Sequence, residues 1–569
     1  MINLYRLSGY ALIAVLAGAP AALAQGRGGA AWTTVSSDAQ RTASLRADAK
    51  ISVESMQKPG FQFLWKRKLD NQPAQLNALT QPLILPNIIA YKGFKALVFV
   101  GGSSDVVYSI DYDLNREFWH QKLATASKVA GTAACPGGLT AITRVTPLAL
   151  AAPGAGRGGR GAGAPGAPGG APGAPGGAPA VPGGAPAAPG AAPAAPGAAR
   201  GAGGGGGGGG FGGGGGRGPQ IANGRGGNDN VFAISSGGMI HVMNPQIGTD
   251  QIPPVKFLNP NATVAGSALV DNVIYAATTG SCGGNANGVY AVDLVSEAKT
   301  VVSWDAKGAS IVGSTAPTFG TDGTIYVATG GGSSPVANAV VSLESKTLNQ
   351  KDWFAAGTPF VSHPVVFQYK GKDLVVAANA DGRLYVLDSA SIGGTDHKTP
   401  VSRSTPVIGG TPETIGLATW QDAAGTRWLV ATSGGPARAD TKFAMNNGAV
   451  SKGALVAFTV VDENGVPSLA PQWASRDLVS PVTPAVVNGV VFALASGESM
   501  DKGTAAQRAK KSSPAVLYAL DGATGKELWT SGTTITSFVH GVGPSAGDGQ
   551  VYVVTYDGTL YAFGVPVER

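Results

Sequence analysis

"VLYALDGATGKELWTSG", residues 516–532, decides how this chain is read. An apolar run from Val516 to Leu520 stops at Asp521-Gly522-Ala523-Thr524-Gly525, and a second run ends in Trp529. Two short strands flanking a polar turn with glycine describe a β-hairpin. The hairpin recurs: in "VYSIDYDLNREFWHQ", Tyr108, Asp111 and Trp119 keep the spacing of Tyr518, Asp521 and Trp529. Looser copies end at Trp304, Trp353 and Trp473, and others begin near His241, Tyr385 and Leu560. Each is preceded by another strand-like run, such as "GTIYVATGGG" from Gly323, and by a less regular third run. The unit is therefore three or four strands, recurring every ~40 to 60 residues, the size of a propeller blade.

Counting first halves gives eight, near residues 108, 241, 290, 341, 385, 456, 518 and 561. The last lacks an outer strand, whereas "FQFLWKRKL" (Phe61 to Leu69), with Trp65, has the look of an outer strand and no first half. The expected fold is all-β: an eight-bladed β-propeller of four-stranded antiparallel blades, its ring closed by the N-terminal strand. A ring suits such sheets because each buries both faces against its neighbours and leaves no long open edge. Trp65, Trp119, Trp304, Trp353, Trp473 and Trp529 are expected to wedge adjacent blades apart at the periphery, a structural rather than a ligand-stacking role.

The 569 residues include 87 glycines and only 13% charged residues, a turn-rich composition that disfavours helical bundles. Arg6, the apolar run Tyr10 to Gly18 and Ala22-Leu23-Ala24 have the order of a secretory leader, so residues 1–24 are expected to be removed after Ala24. The protein is then exported, periplasmic or secreted, and soluble, with no membrane span. A lead-in, 25–60, precedes the propeller, 61–569, which is interrupted at 150–229 by a tract of Gly, Ala and Pro. Such a tract buries too little apolar surface to offset ordering and reads as a disordered insertion in the second blade. The formal charge of +7 resides largely in Arg6 and in five arginines of that tract, so the body is close to neutral and offers nucleic acid no basic face.

At this point "LYALDGATGKELW" resembles the pyrroloquinoline quinone (PQQ) repeat of quinoprotein alcohol dehydrogenase-like β-propellers, a family that also has non-enzymatic members. The lead-in resembles that of the dehydrogenases at Trp32, Asp38, Arg41 and Ile51, and departs from it where Ser36 and Ser37 replace glycines and Ser55 replaces Asn. The resemblance implies a quinone held with calcium on the face that carries the loops entering each blade and the loops between its second and third strands. On that reading Glu498 is a calcium carboxylate, Asp440 the base and Arg438 the group polarising the quinone, with His363 and His540 at the channel mouth as further cofactor-binding candidates. The alternative for each charged residue is a solvated loop position. Cys135 and Cys282 fall on this same face in neighbouring blades and are expected to form a disulfide. Neither the adjacent cysteine pair common in the dehydrogenases nor a Cys-x-x-Cys-His haem motif is present.

Two functions follow as expectations. The first is a binding or scaffold module, a monomer that takes a protein or small-molecule ligand at its loop-rich face, with no cofactor assigned to it. The second is a PQQ- and calcium-dependent dehydrogenase of an alcohol or sugar.

Overall fold

The computed structural model describes residues 31–566 apart from 91–92, 124–130, 133, 140, 149–228, 316, 411–414 and 439–440. The leader and nearly all of the Gly/Ala/Pro tract, including the separate unit Ala155–Gly218, lie outside the described residues.

Eight sheets follow one another along the chain. Blade 1 is Leu83–Ala90, Gly93–Gly102, Val106–Asp111 and Arg116–Lys122, each strand antiparallel to the one before. Blade 7 is Ala485–Val487, Val490–Ala495, Val516–Asp521 and Glu527–Thr530, so the opening hairpin forms its two outer strands. In blade 8 the outermost strand, Gln62–Lys68, comes from the N-terminus and pairs antiparallel with Thr559–Gly564. The ring is thus closed by pairing the two ends of the chain, as the unpaired halves in the sequence predict.

Apolar side chains pack between sheets rather than beneath one. Leu83, Leu97 and Phe99 of blade 1 meet Val231 and Ala233 of blade 2. Separate cores join blades 2 to 3, 3 to 4, 4 to 5 and 5 to 6, and one larger core joins 6, 7, 8 and 1. At roughly 1.5 to 3 kcal/mol for each large aliphatic or aromatic side chain buried, these inter-blade layers hold the ring together.

The tryptophans link six of the eight blades to the next. The indole N–H groups of Trp65, Trp119 and Trp473 donate to the carbonyls of Tyr112, Pro245 and Gly522, each in the outer turn of the following blade, at 3.0, 2.8 and 2.9 Å. Trp304 donates to Gln350 in blade 4. Trp353 stacks on His397 of blade 5, and Trp529 meets Phe61 and Phe563 of blade 8 edge-on; both are only partly buried.

The lead-in occupies the channel. Between Trp32 and Leu45 it winds once around the axis and meets the innermost strands in blade order. Carbonyls of Trp32, Thr33, Ala39, Gln40, Thr42 and Ala43 accept from the N–H groups of Ile84, Arg144, Phe319, Val366, Thr419 and Val486, in blades 1, 2, 4, 5, 6 and 7. Thr34 donates its hydroxyl to Ser267 in blade 3, and Asp48 accepts from Gly549 in blade 8. The innermost edge of every sheet would otherwise present unpaired backbone groups to the channel, so this plug satisfies edges that the ring alone leaves open.

Candidate ligand-binding site at the channel mouth

Above the plug, on the face carrying the entry loops, a cavity of about 530 Å³ opens. Val35 and Ser36 of the plug floor it. Its walls come from the loops entering blade 1 (Asn77 to Gln81), blade 2 (Ala134 to Leu139), blade 4 (Ile311 to Thr315) and blade 8 (His540 to Gly543), with Thr483 and the start of blade 3. No Lys, Arg, Asp or Glu is among the described residues that line it. Two lining hydroxyls, on Thr263 and Thr315, are buried without a hydrogen-bond partner among the described residues. A polar atom left in that condition costs about 1 to 3 kcal/mol.

Among the described residues that line the wall, His540 is the one titratable side chain. Its loop is fixed by the Val539 N–H, which donates to Ser496, and by Phe538 stacked on Tyr556. The His540 Nδ1 lies 2.9 and 3.0 Å from the two carboxylate oxygens of Glu498. An ionised carboxylate only accepts, so Nδ1 carries the proton and Nε2 remains an acceptor. Glu498 itself is buried and is held from behind by Arg508, whose guanidinium donates to Oε1 at 2.7 Å. Arg508 projects from the helix Ala505–Lys511, which starts with a reciprocal capping box between Thr504 and Gln507. The pattern Thr-x-x-Gln ahead of "AAQRAKK" signals that helix in the sequence, yet only the fold shows that Arg508 meets Glu498.

The other candidates stand apart. His363 lies in the wall beside the plug rather than at the mouth: burial, reinforced by Arg41, lowers its pKa to about 3, so it stays neutral. Its Nε2 has no partner among the described residues. Arg438 donates from Nε to the Ile408 carbonyl at 3.1 Å, toward the rim of blades 5 and 6, and does not line the cavity. Asp440 lies outside the described residues. Cys135 and Cys282 are joined in a disulfide between the entry to blade 2 and the second-to-third-strand loop of blade 3. Flanking Cys135, Ala134 and Pro136 line the cavity, so the disulfide anchors one of its walls. A larger, open cleft of about 930 Å³ lies farther out near blade 1, where Asp105 is already committed to Ser236.

The plug carries a buried cation of its own. Arg41, fully buried, has its pKa lowered to about 9 by desolvation and donates to the carbonyls of Pro317, Val35 and Ser267 and to the Thr34 hydroxyl. Asp38 beside it is pushed up by burial despite accepting from both the N–H and the hydroxyl of Thr42. These groups hold the plug in place beneath the cavity.

The ring of eight blades is a β-propeller, and the comparisons with known proteins show a likeness to PQQ-type propellers. The family described as outer membrane protein assembly factor BamB matches residues 473–565, which span the end of blade 6, all of blade 7 and most of blade 8. Among solved structures, the chain is similar to a quinohemoprotein alcohol dehydrogenase from Comamonas testosteroni (13% identity, TM-score 0.51, covering 95% of this chain and 81% of that one). It is also similar to the quinohemoprotein alcohol dehydrogenase ADHIIG from Pseudomonas putida HK5 (10%, 0.52, 95% and 81%). A europium-containing methanol dehydrogenase is a third (10%, 0.51, 95% and 89%). At these identities the likeness is one of fold. No curated protein matches the sequence significantly.

The residues of the cavity do not fit a quinone held with calcium. The quinone is a tricarboxylate, and the described lining offers no cation to pair with it. Calcium takes six to eight oxygen ligands, carboxylates foremost. Glu498, the carboxylate bonded to His540, spends both oxygens on His540 and Arg508. Among the described residues no three His, Cys, Asp or Glu side chains gather as a metal site.

Proposed function

We propose that this protein is an exported binding module that holds a small molecule in the axial cavity of its loop-rich face. The observation that carries this reading is the cavity itself. It is floored by the protein's own plug, walled by loops from blades around the ring, and bordered by an imidazole that Glu498 orients. Concave, mainly apolar sites with a few converging polar groups are where small ligands bind. Among the described residues no helix is long and apolar enough to cross a membrane.

A nuclear magnetic resonance screen of small fragments tests this reading. Shift perturbations should gather on Ala265, Gly313, Thr315 and Gly541; perturbations gathered instead at the outer cleft, on Ser104 and Gly137, would refute it. The competing reading, a PQQ- and calcium-dependent dehydrogenase of an alcohol or sugar, draws on the fold shared with such enzymes. Incubation with PQQ and calcium followed by desalting separates the two. We expect no quinone absorbance to survive; retained quinone with dye reduction by an alcohol or sugar would establish the dehydrogenase.

A further inference from the structure

We infer that the axial cavity selects uncharged, mainly aliphatic molecules carrying a hydroxyl or amide N–H, and that His540 is the residue that makes the selection. This inference rests on the binding function proposed above and names its ligand class.

The charge argument comes first. Val35, Leu79, Leu139, Val264, Ile311 and Val542 give the described lining its aliphatic character, and no ionised side chain faces them. An ion entering such a site gives up hydration and finds no counter-charge, a cost of several kcal/mol. A neutral molecule loses far less. Phe, Tyr and Trp are missing from the described lining as well, so the walls suit branched aliphatic groups better than flat rings.

The second argument is donor and acceptor chemistry. Glu498 fixes the His540 proton on Nδ1, and the ring lines the cavity with Nε2 left as an acceptor. A ligand hydroxyl or amide N–H is the complementary donor. An alcohol or amide group meets that need, whereas a hydrocarbon does not.

The third argument concerns protonation. Among the described residues, the charged groups that face His540 are Glu498 and, behind it, Arg508 from the helix Ala505–Lys511; Lys511 of that helix is paired with Asp501. The described residues of the plug and of the entry loops of blades 1, 2 and 4 contribute no titratable side chain to the cavity. A proton added to His540 therefore goes to Nε2, turns the acceptor into a donor and leaves the ligand's donor facing N–H. Binding should weaken as the solution becomes acidic.

The test titrates N-acetyl-leucinamide, its anionic relative N-acetyl-leucine and the cation isopentylamine into the full-length mature protein and its His540→Gln variant, near pH 7.5 and near pH 5. In the wild type the neutral amide should bind at least about tenfold tighter than either ion, and its affinity should fall about tenfold between pH 7.5 and pH 5. In the His540→Gln variant, which keeps an acceptor but does not titrate, binding should persist and lose its pH dependence. Tighter binding of either ion, or no binding of the amide, would overturn the ligand class. Identical pH dependence in both proteins would overturn the role of His540. The fragment screen is indifferent to both results, so either failure would leave the cavity as the binding site.

Discussion

At the residue scale, the plug shows what a departure from a family pattern means physically. Ser36 and Ser37, which stand where related lead-ins carry glycine, both adopt left-handed backbone conformations, with φ of 56° and 70°. Arg41 and Ala43 do the same at 60° and 51°. These reversals let a short segment turn through the whole circuit and aim successive carbonyls at successive blades. A side chain in this region costs about 1 kcal/mol or more, which glycine avoids. The Ser36 backbone N–H donates to Gln81, a bond that glycine would keep. Ser36→Gly should therefore stabilise the protein by about 1 kcal/mol, read as a higher thermal midpoint. A lower midpoint would mean that the side chain, buried on the cavity floor, contributes more than its backbone strain removes.

At the scale of the element, the repeat hairpin is a docking device as much as a pair of strands. Gly525, at φ 70°, lies in the turn that receives the tryptophan of the preceding blade; a Cβ there would come within 2.5 Å of the Trp473 ring. Gly248 meets Trp119 in the same way. The glycine of the motif is thus required twice, by its backbone conformation and by the closeness of the indole. Gly525→Ala should cost about 2 to 3 kcal/mol, from strain plus overpacking, and should increase hydrogen exchange in blades 6 and 7 first. Uniform loosening of all eight blades would count against local docking. The hairpin was legible from Tyr518, Asp521, Gly525 and Trp529 because its chemistry is local. The partner of Trp473 was not, since the Gly522 carbonyl belongs to the next blade.

At the scale of the whole molecule, two devices hold the ring: the N-terminal strand in blade 8 and the disulfide across blades 2 and 3. The disulfide closes a loop with a sequence separation of 147. Its loss should cost about 2 to 4 kcal/mol. The double variant Cys135→Ser, Cys282→Ser should accordingly melt several degrees lower. Thiol titration of the denatured, unreduced wild type should find no free thiol. Since Ala134 and Pro136 belong to the cavity wall, the double variant should also bind N-acetyl-leucinamide more weakly; unchanged affinity would show that the wall stands without the bridge.

The sequence by itself determined the blade count, the order of the strands and the closure of the ring. Each rests on a pattern that repeats within a few tens of residues: alternating apolar strands, a polar turn and a tryptophan at fixed spacing. It also placed Cys135 and Cys282 on one face, because strand order alone fixes which loops share a face. Tertiary structure decided the site. His540 lies 42 positions from Glu498, Arg508 reaches that carboxylate from a helix inside a long loop, and the cavity floor is the chain's own lead-in. His363 and Arg438, which share a face with His540 in the topology, differ from it in depth and in distance from the axis, quantities that no spacing encodes. Repeats write a scaffold into the sequence because each unit solves the same packing problem; a site joins loops from different units and is set only when the ring closes.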